Sequence, residues 1–458
     1  MASGGELMGN KNSGGNPGIT PRRGLPGMKS KLAGNAPLTA AFLGGSITEG
    51  AGASDADTTS WRALTGAYLQ RLYAGHPVRC INAGVGGTTS TFGAHRLQEH
   101  VLRHGEIDLL FVEFSVNDGE DRGESIRGME GIVRQCRRLS PETELIFVYT
   151  AADKNLTGYK PFNIAVHEEV ADHYGIPSID CAAKVYTMIH TGELSWKRFA
   201  PDGYHPLDAG HALYAGLVQE YLQQAIVPCG VQPGWLEEAG PEAGEEVSVP
   251  GEGAEAQETV VLKKEAGREA AVPGEEADAQ ETAVLKKETG RKAGVPGEEA
   301  EAQETVQLIK EAALPAPLDS RNYEYGGLLD YSAAAYSAGF HTQELQPGEP
   351  LMNWRFSTEH THTDDPQAEF SFTVTGQGAG VVLLYGPDSG IVEYSLNGGP
   401  YAEVNLFDDW CLNAYRPILA LFPVQEKRGI LQVTIRNTVH KDSRSTGTGL
   451  RVLKLLCN

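Results

Sequence analysis

The sequence has few basic residues for its length, and this deficit limits the partners it can have. Its 458 residues include 38 Lys and Arg against 60 Asp and Glu, which gives a formal net charge of -22 at pH 7. A protein that binds nucleic acid needs a basic face to neutralise phosphates. The composition therefore argues against nucleic acid as a partner.

Aromatic residues are absent from one long segment, which also holds most of the excess acid. None occurs between Leu236 and Asn322, and residues 237–313 carry 20 Asp and Glu but only 8 Lys and Arg, a net charge of -12. The tetrapeptide Val-Pro-Gly-Glu recurs there every 23 residues, beginning at Val249. Because the repeats offer few apolar side chains to stack, we predict a low-complexity acidic linker over residues 231–320 rather than a folded repeat array.

Cysteine is scarce, and its spacing suggests no covalent or metal framework. The six cysteines contain no C-x-x-C pair and are scattered over the chain, at positions 80, 136, 181, 229, 411 and 457. This pattern is more typical of reduced thiols that pack in the interior than of a zinc site or a disulfide scaffold.

Long apolar runs are also missing. None approaches the roughly 18 residues of a membrane-spanning helix. Residues 1–30 are rich in Gly, Ser, Asn and Pro and lack the apolar core of a signal peptide, so we predict a flexible N-terminal tail. We expect no membrane partner and, by default, a cytoplasmic location, although a sequence without its leader would look the same and secretion stays open.

Short apolar runs alternate with helix-like stretches between residues 31 and 230. The runs lie at 40–43, 78–82, 107–114, 145–149 and 176–180, and the helix-like stretches at 61–73, 93–103, 125–139, 161–174 and 208–225. This alternation predicts an α/β domain with a parallel sheet of about five strands covered on both faces. In such folds the loops after the strands hold the ligand.

The pattern changes to all-β over residues 321–458. Alternating runs at 369–375, 380–385, 391–396 and 429–436 are separated by turn residues, including the hairpin signal Leu396-Asn-Gly-Gly. We predict a β-sandwich domain. Its aromatics could stack on sugar rings or fill the sandwich core, and the period-two placement of several favours the core; they are Trp354, Tyr385, Tyr394, Trp410 and Tyr415.

One histidine-rich run in this region has the spacing of a metal site. Residues 359–365 read Glu-His-Thr-His-Thr-Asp-Asp. No third ligand is placed by sequence, so we favour an exposed loop over a metal site.

A serine follows a tight glycine turn at the end of the first predicted strand. Residues 38–50 read Leu-Thr-Ala-Ala-Phe-Leu-Gly-Gly-Ser-Ile-Thr-Glu-Gly, in which Gly44 and Gly45 permit a sharp turn before Ser46. A serine so placed can act as a nucleophile with backbone N–H groups nearby. The alternatives at this point are a phosphate-cradling turn and a purely structural one.

Three further segments decide between these alternatives. Asn82-Ala-Gly-Val-Gly-Gly-Thr follows the second strand, Phe114-Ser-Val-Asn-Asp follows the third, and Asp202-Gly-Tyr-His-Pro precedes the last helix. They place a nucleophile, two oxyanion donors and an acid–base pair at one end of the sheet, in the order Ser46, Gly84, Asn117, Asp202 and His205.

These blocks resemble the SGNH hydrolases, also called GDSL esterases and lipases. That family is named for Ser, Gly, Asn and His in separate blocks in this order, with an Asp three residues before the His. The resemblance covers residues 23–225 and implies a flavodoxin-like three-layer α/β/α domain. One departure is visible, because Gly45 stands where the name motif has Asp. It leaves less polar support beside the nucleophile but removes no triad residue.

The resemblance implies a Ser-His-Asp mechanism. His205 would take the proton of Ser46, and Asp202 would orient the imidazole. The backbone N–H groups of Ser46 and Gly84 and the amide of Asn117 would meet the oxyanion.

Two acidic residues beside these blocks are given ordinary roles. We expect Asp118 to cap the following helix and Glu49 to be a solvated loop carboxylate.

We therefore expect a serine esterase that removes a short acyl group, preferably acetyl, from an oxygen ester of a small molecule or glycan, without a metal or organic cofactor. Three alternatives stay open. The first is acyl transfer to another alcohol by the same triad, the second a silent glycan-binding protein, and the third a scaffold whose acidic repeat recruits a basic partner. The oligomeric state is not defined by the sequence.

Overall fold

The computed structural model describes residues 18–32, 34, 36–155, 158–227, 314–352 and 356–458. An α/β part comes first and an all-β part follows, and both belong to one compact unit. The repeats of the predicted acidic linker lie outside the described residues, as do Cys229 and Trp354.

The elements of the α/β part alternate as the sequence predicts. In chain order they are β1 (Ile19–Thr20), α1 (Pro26–Leu32), β2 (Leu38–Gly44), α2 (Ser46–Glu49), α3 (Trp61–Leu72), β3 (Val78–Gly84), α4 (Ser90–His100), β4 (Leu109–Glu113), α5 (Arg122–Leu139), β5 (Glu144–Tyr149), α6 (Phe162–Tyr174), β6 (Ser178–Asp180), α7 (Cys181–His190), α8 (Trp196–Phe199) and α9 (Asp208–Ile226).

The six strands form one sheet in the order β1-β6-β5-β4-β2-β3. The strands β2 to β6 are parallel, and the short β1 adds an antiparallel edge. This order is flavodoxin-like and confirms the predicted fold, with the chain reversing direction across the sheet between β2 and β4. The register pairs Gly44 of β2 with Gly84 of β3 and with Glu113 of β4. The loops that follow these three strands therefore start at the same level.

Helices cover both faces of the sheet. α1 and α3 pack with α9, whereas α5 packs between α4 and α6. β2 and β4 lie in the middle and are buried along almost their whole length. Strands covered on both faces read as continuous apolar runs, which is why the sequence reveals them so clearly.

Residues 18–32 correct the prediction of a flexible tail over residues 1–30. Met28 of α1 is buried, and β1 pairs with β6. The Arg22 guanidinium donates to Glu168 at 2.9 Å and to Asp172 at 2.7 Å. These partners are distant in the sequence, so local composition could not reveal them.

The all-β part contains eleven strands within residues 327–457. They are β7 (Gly327–Asp330), β8 (Ala335–Tyr336), β9 (His341–Gln343), β10 (His360–Thr363), β11 (Glu369–Gly376), β12 (Ala379–Tyr385), β13 (Ile391–Leu396), β14 (Ala402–Asn405), β15 (Arg416–Leu421), β16 (Gly429–Asn437) and β17 (Leu450–Cys457). One sheet has the order β15-β12-β17-β10-β9, with β7 also pairing with β17, and the other has the order β14-β13-β16-β11-β8. Their antiparallel pairing confirms the predicted all-β architecture.

Strand β12 is buried on both faces. Val381 and Leu383 lie in the core with residues of both sheets. The alternate residues Val382 and Leu384 belong to a second apolar cluster, which includes Phe92 of the α/β part. One sheet of the sandwich therefore packs directly on the α/β part.

A buried carboxylate also joins the two parts. Glu130 of α5 accepts the backbone N–H groups of Leu318 and Asp319 at 2.7 and 2.9 Å. Gly131 faces the same segment, because a Cβ added there would lie 2.8 Å from the backbone of Tyr323. The chain that enters the β part is thus held closely against α5.

The histidine-rich run is a buried strand, so the prediction of an exposed loop is wrong. His360 and His362 belong to β10, which lies between β9 and β17, and both side chains are buried. Burial lowers the pKa of His360 to about 4, which keeps the ring neutral near pH 7. Among the described residues, no group of three His, Cys, Asp or Glu side chains could hold a metal ion.

The four aromatic residues of the β part that the structure describes have different environments. Tyr385 and Tyr415 are buried, and Tyr394 stacks on Phe422 with ring centroids 4.3 Å apart. Trp410 is 48% exposed. Most of these residues therefore belong to the core, as their spacing indicates.

No helix in the described ranges combines the length and the apolar character that crossing a membrane requires.

We predict opposite stability changes for two helical glycines replaced by alanine. Gly216 of α9 has open space around an added Cβ, so Gly216→Ala should stabilise the chain by up to about 1 kcal/mol through helix propensity. Gly131→Ala gains the same propensity but meets the Tyr323 backbone, and it should destabilise by about 1–3 kcal/mol. Urea unfolding of the full chain measures both, and a Gly131→Ala variant as stable as Gly216→Ala would contradict the packing described.

Candidate active site

The predicted nucleophile begins a short helix immediately after the sheet. Ser46 is the first residue of α2 and follows Gly45. A Cβ added at Gly44 would lie 2.2 Å from Thr48 Oγ1. A Cβ added at Gly45 would lie 2.2 Å from Asn117 Oδ1. Gly44 is therefore needed, because the Glu113 backbone also lies 2.7 Å from that position, whereas a side chain at Gly45 would require the Asn117 amide to shift.

The structure brings Ser46, His205 and Asp202 together in one chain of contacts. The Ser46 Oγ lies 2.7 Å from His205 Nε2, and His205 Nδ1 lies 2.7 Å from Asp202 Oδ2. The other Asp202 oxygen accepts the backbone N–H groups of His205 and Tyr204 at 2.8 and 3.1 Å. A hydroxyl, an imidazole and a carboxylate, the groups that nucleophilic catalysis requires, are thus in hydrogen-bonding contact.

The electrostatics of Asp202 favour its charged form. Partial burial raises the pKa of the carboxyl, but hydrogen bonds from the backbone of His205 and Tyr204 and from the imidazole lower it more. The net pKa lies below its usual value. Asp202 is therefore ionised in neutral and mildly acidic solution, where it can stabilise a positive charge on the imidazole.

The loop of residues 50–56 supports the His205 segment. Gly52 has φ +91°, and an added Cβ would lie 2.3 Å from Pro206 O and 3.1 Å from His205 Cβ. Ser54 is held in turn by Asp208 of α9, at 2.7 Å from its N–H and 2.6 Å from its hydroxyl. The imidazole position therefore depends on this loop as well as on α9.

The side chain of Asn117 lies beside the nucleophile turn. It is half-buried against Gly45 and forms no side-chain hydrogen bond with any described residue. An amide placed next to Ser46 without a partner can donate to a ligand.

The glycine turn after β3 is arranged differently from the prediction. The N–H of Gly84 donates to Asn82 Oδ1 at 3.0 Å, so this donor is already engaged. Gly87 in the same turn has φ +72°, and its N–H forms no hydrogen bond within the described part of the chain. The sequence signals the turn but not which of its N–H groups is available.

The sequence expectation for Glu49 is corrected by its contacts. Glu49 is not simply solvated, because its carboxylate accepts the Gly86 N–H at 2.9 Å and its carbonyl accepts the Asn82 amide at 3.2 Å. It therefore ties α2 to the turn after β3.

Asp118 also differs from the expectation. It does not cap α5, whose cap is Asp121. Asp118 instead accepts the N–H of Ser90 at the start of α4 at 2.8 Å and lies 2.8 Å from the Nε2 of the buried His167. Asp118 therefore binds the start of the preceding helix, α4, rather than that of the following one. Sequence order alone does not indicate this partner.

A residue of the β part reaches the turn after β3. Arg416 of β15 is 8% exposed and pairs with Asp408. Its Nη1 lies 3.9 Å from the position of a Cβ on Gly87. Sequence analysis missed this residue, because nothing local connects position 416 with position 87.

Comparison with known proteins reveals a similar family for the α/β part. Residues 42–213 match the family model described as the GDSL-like Lipase/Acylhydrolase family. The α/β part is therefore similar to this family, as the sequence motifs predict. The chain is accordingly a carboxylic ester hydrolase, as predicted from the sequence. No curated protein matches the sequence.

Among solved structures, a two-domain protein is similar over most of this chain. It is a two-domain esterase (CEX) active on acetylated mannans, also crystallised with mannopentaose, with 19% identity, a TM-score of 0.68 and coverage of 96% of both chains. The acetylxylan esterase Axe2 from Geobacillus stearothermophilus is 20% identical and covers 43% of this chain and 97% of its own, with a TM-score of 0.36.

We predict that Gly52→Ala lowers kcat more than the backbone strain of an alanine at positive φ would by itself. The added Cβ should push the Pro206 and His205 backbone away from Ser46, and displacement of a catalytic group by about 1 Å can cost roughly 100-fold in rate. The matched control is Gly75→Ala, which has nearly the same φ (+92°) but open space around the Cβ. The kcat of both variants is measured with p-nitrophenyl acetate. Equal kcat values would show that the close approach of Gly52 does not position His205.

Proposed function

We propose that this protein hydrolyses acetyl or similarly short acyl esters of a carbohydrate through a Ser46 acyl-enzyme. The observation that carries the proposal is the pair of 2.7 Å contacts joining Ser46 Oγ, His205 and Asp202. These groups are in the order that nucleophilic catalysis requires, with an ionised carboxylate behind the base.

In the proposed reaction, His205 moves one proton in each half. Ser46 Oγ attacks the acyl carbonyl carbon while Nε2 takes the hydroxyl proton, and the tetrahedral intermediate collapses when Nε2 gives that proton to the leaving sugar oxygen. Water then loses a proton to Nε2 as it attacks the acyl-enzyme. Collapse of this second intermediate, with Nε2 returning the proton to Ser46 Oγ, releases the carboxylic acid, which then ionises in water. Asp202 holds the imidazole and stabilises its charged form in both halves.

The oxyanion would be stabilised by donors around the nucleophile turn. We assign the Ser46 N–H and the Asn117 amide, because the amide lies against Gly45 and has no partner within the described residues. The third predicted donor, Gly84, is already bonded to Asn82. Gly87 of the same turn is a better candidate for that position.

The β part supports the proposal that the alcohol component of the ester is a carbohydrate. The similarity to an esterase active on acetylated mannans extends over both parts of the chain, with a TM-score of 0.68. In this chain the β part places Arg416 beside the turn that follows β3. A guanidinium at that rim can donate to the hydroxyl groups of a sugar that continues beyond the reacting ester.

We predict graded losses of activity for two substitutions in the site. Ser46→Ala should abolish hydrolysis of p-nitrophenyl acetate above background, since the nucleophile is removed. Asn117→Ala should lower kcat by about 10²–10³ through the loss of one oxyanion donor. The control is Asn413→Ala, an exposed residue of the β part.

Release of free acetate is measured alongside, because it separates hydrolysis from transfer of the acyl group to another alcohol. Retention of full activity in Ser46→Ala would refute the proposed mechanism.

We predict that Arg416→Ala impairs a polymeric substrate more than a small ester. Loss of a charge-assisted hydrogen bond of about 1.5–3 kcal/mol should raise KM for acetylated mannan about tenfold or more. Arg436→Ala is the control, because Arg436 pairs with Glu393 in the other sheet. Kinetics of acetate release from acetylated mannan and from p-nitrophenyl acetate are compared. Equal changes for both substrates would argue against a sugar contact by Arg416.

A further inference from the structure

A fully buried acid lies next to the nucleophile turn, and the proposed reaction does not use it. Glu113 is the last residue of β4 and is 1% exposed. Burying a carboxyl group without partners costs several kcal/mol, so its contacts must compensate for the lost hydration. Those contacts indicate what the residue does.

Two of the three hydrogen bonds to Glu113 come from the segment that carries Ser46. The Thr48 hydroxyl donates to Oε2 at 2.9 Å, and the backbone N–H of Gly45 also donates to the carboxyl group. The third donor is the Thr150 hydroxyl, just after β5, which bonds Oε1 at 2.7 Å. Glu113 therefore connects the residues on both sides of Ser46 to the centre of the sheet.

The turn itself carries no carboxylate, and a side chain added there would displace its neighbours. An aspartate at position 45, where the name motif of the family has one, would need a Cβ 2.2 Å from Asn117 Oδ1. A side chain at position 44 would meet Thr48 Oγ1 at 2.2 Å and the Glu113 carbonyl at 2.7 Å. In this chain the carboxyl group that supports the turn comes instead from a neighbouring strand.

We infer that Glu113 is a positioning residue that fixes residues 45–48 and thereby holds the Ser46 hydroxyl in line with His205. It touches no reacting atom and acts only through Gly45 and Thr48. The inference rests on the proposed function, because it assigns Glu113 a role in keeping Ser46 ready for attack.

The physical reason is that the turn is short and the alignment tolerance is small. α2 has four residues and no side-chain cap at Gly45, so few internal bonds restrain it. The contact between Ser46 Oγ and His205 Nε2 is 2.7 Å. A shift of about 1 Å in such a contact can cost roughly 100-fold in rate. Hydrogen bonds on both sides of the serine prevent that shift.

The test compares two isosteric substitutions that each remove one hydrogen bond from the same carboxyl group. Thr48→Val breaks the bond to the nucleophile segment, and Thr150→Val breaks the bond on the other side. Both threonines are buried, so the two variants should lose similar stability. We expect Thr48→Val to lower kcat for p-nitrophenyl acetate tenfold or more with KM within twofold, and Thr150→Val to keep kcat within about twofold.

Two further variants make the result specific. Thr48→Ser restores the hydroxyl and should recover most of the lost kcat. Glu113→Gln keeps the side-chain volume but has a single accepting oxygen, so Thr48→Val should cost less in this background than in the natural sequence. If Thr48→Val folds poorly, Thr48→Ala takes its place in both comparisons. Equal kcat losses in Thr48→Val and Thr150→Val, or purely additive effects with Glu113→Gln, would overturn the inference.

The Ser46→Ala variant separates this outcome from failure of the proposed function. If Ser46→Ala retains activity, the proposed nucleophile is wrong. If Ser46→Ala is inactive but Thr48→Val and Thr150→Val behave alike, the triad stands and only the role of Glu113 is rejected.

Discussion

Three neighbouring strands end at the same level of the sheet, and the rest of the site depends on this constraint. Gly44 pairs with Gly84 and with Glu113, so the loops after β2, β3 and β4 begin at one edge of the sheet. The chain reverses direction across the sheet between β2 and β4, and ligands of open α/β sheets bind at such a point. Ser46 and Asn117 follow these two strands and lie close together at this edge. His205 reaches the same edge from the segment before α9 and meets Ser46 at 2.7 Å. A one-residue shift in the pairing of β2 would misplace the nucleophile even if every loop kept its conformation.

Buried carboxylates link separate elements in three places. Glu113 connects the nucleophile segment with Thr150, Glu130 connects α5 with the chain entering the β part, and Asp118 connects α4 with the buried His167. Each carboxylate accepts several hydrogen bonds, which offsets the cost of removing it from water. Such groups hold their partners in one geometry, because an alternative packing would leave an acid buried without donors. Buried polar contacts therefore hold the elements around the site in place, together with the apolar core.

The β part is fixed against the α/β part within one compact unit. Val382 and Leu384 of β12 lie in the apolar cluster that includes Phe92, and Glu130 holds the segment at Leu318. A residue of the β part therefore has a constant position relative to the nucleophile. The proposed sugar contact of Arg416 depends on this fixed position. A loosely tethered module could raise the local substrate concentration but could not hold one side chain beside the turn after β3.

The sequence by itself determined the fold class, the five parallel strands, the all-β part and the proximity of Ser46, Asp202 and His205. Apolar runs report burial of a strand, and glycine turns report local backbone geometry, so both can be recognised without knowledge of distant contacts. Only the tertiary structure decided that residues 18–32 pack on the domain, that His360 lies in a buried strand, and that Gly84 donates to Asn82. The partners of Asp118, Glu113 and Arg416 were likewise decided by the fold. In most of these cases the deciding partner is far away in the sequence or on another strand, and local composition carries no record of which polar groups meet once the chain is packed.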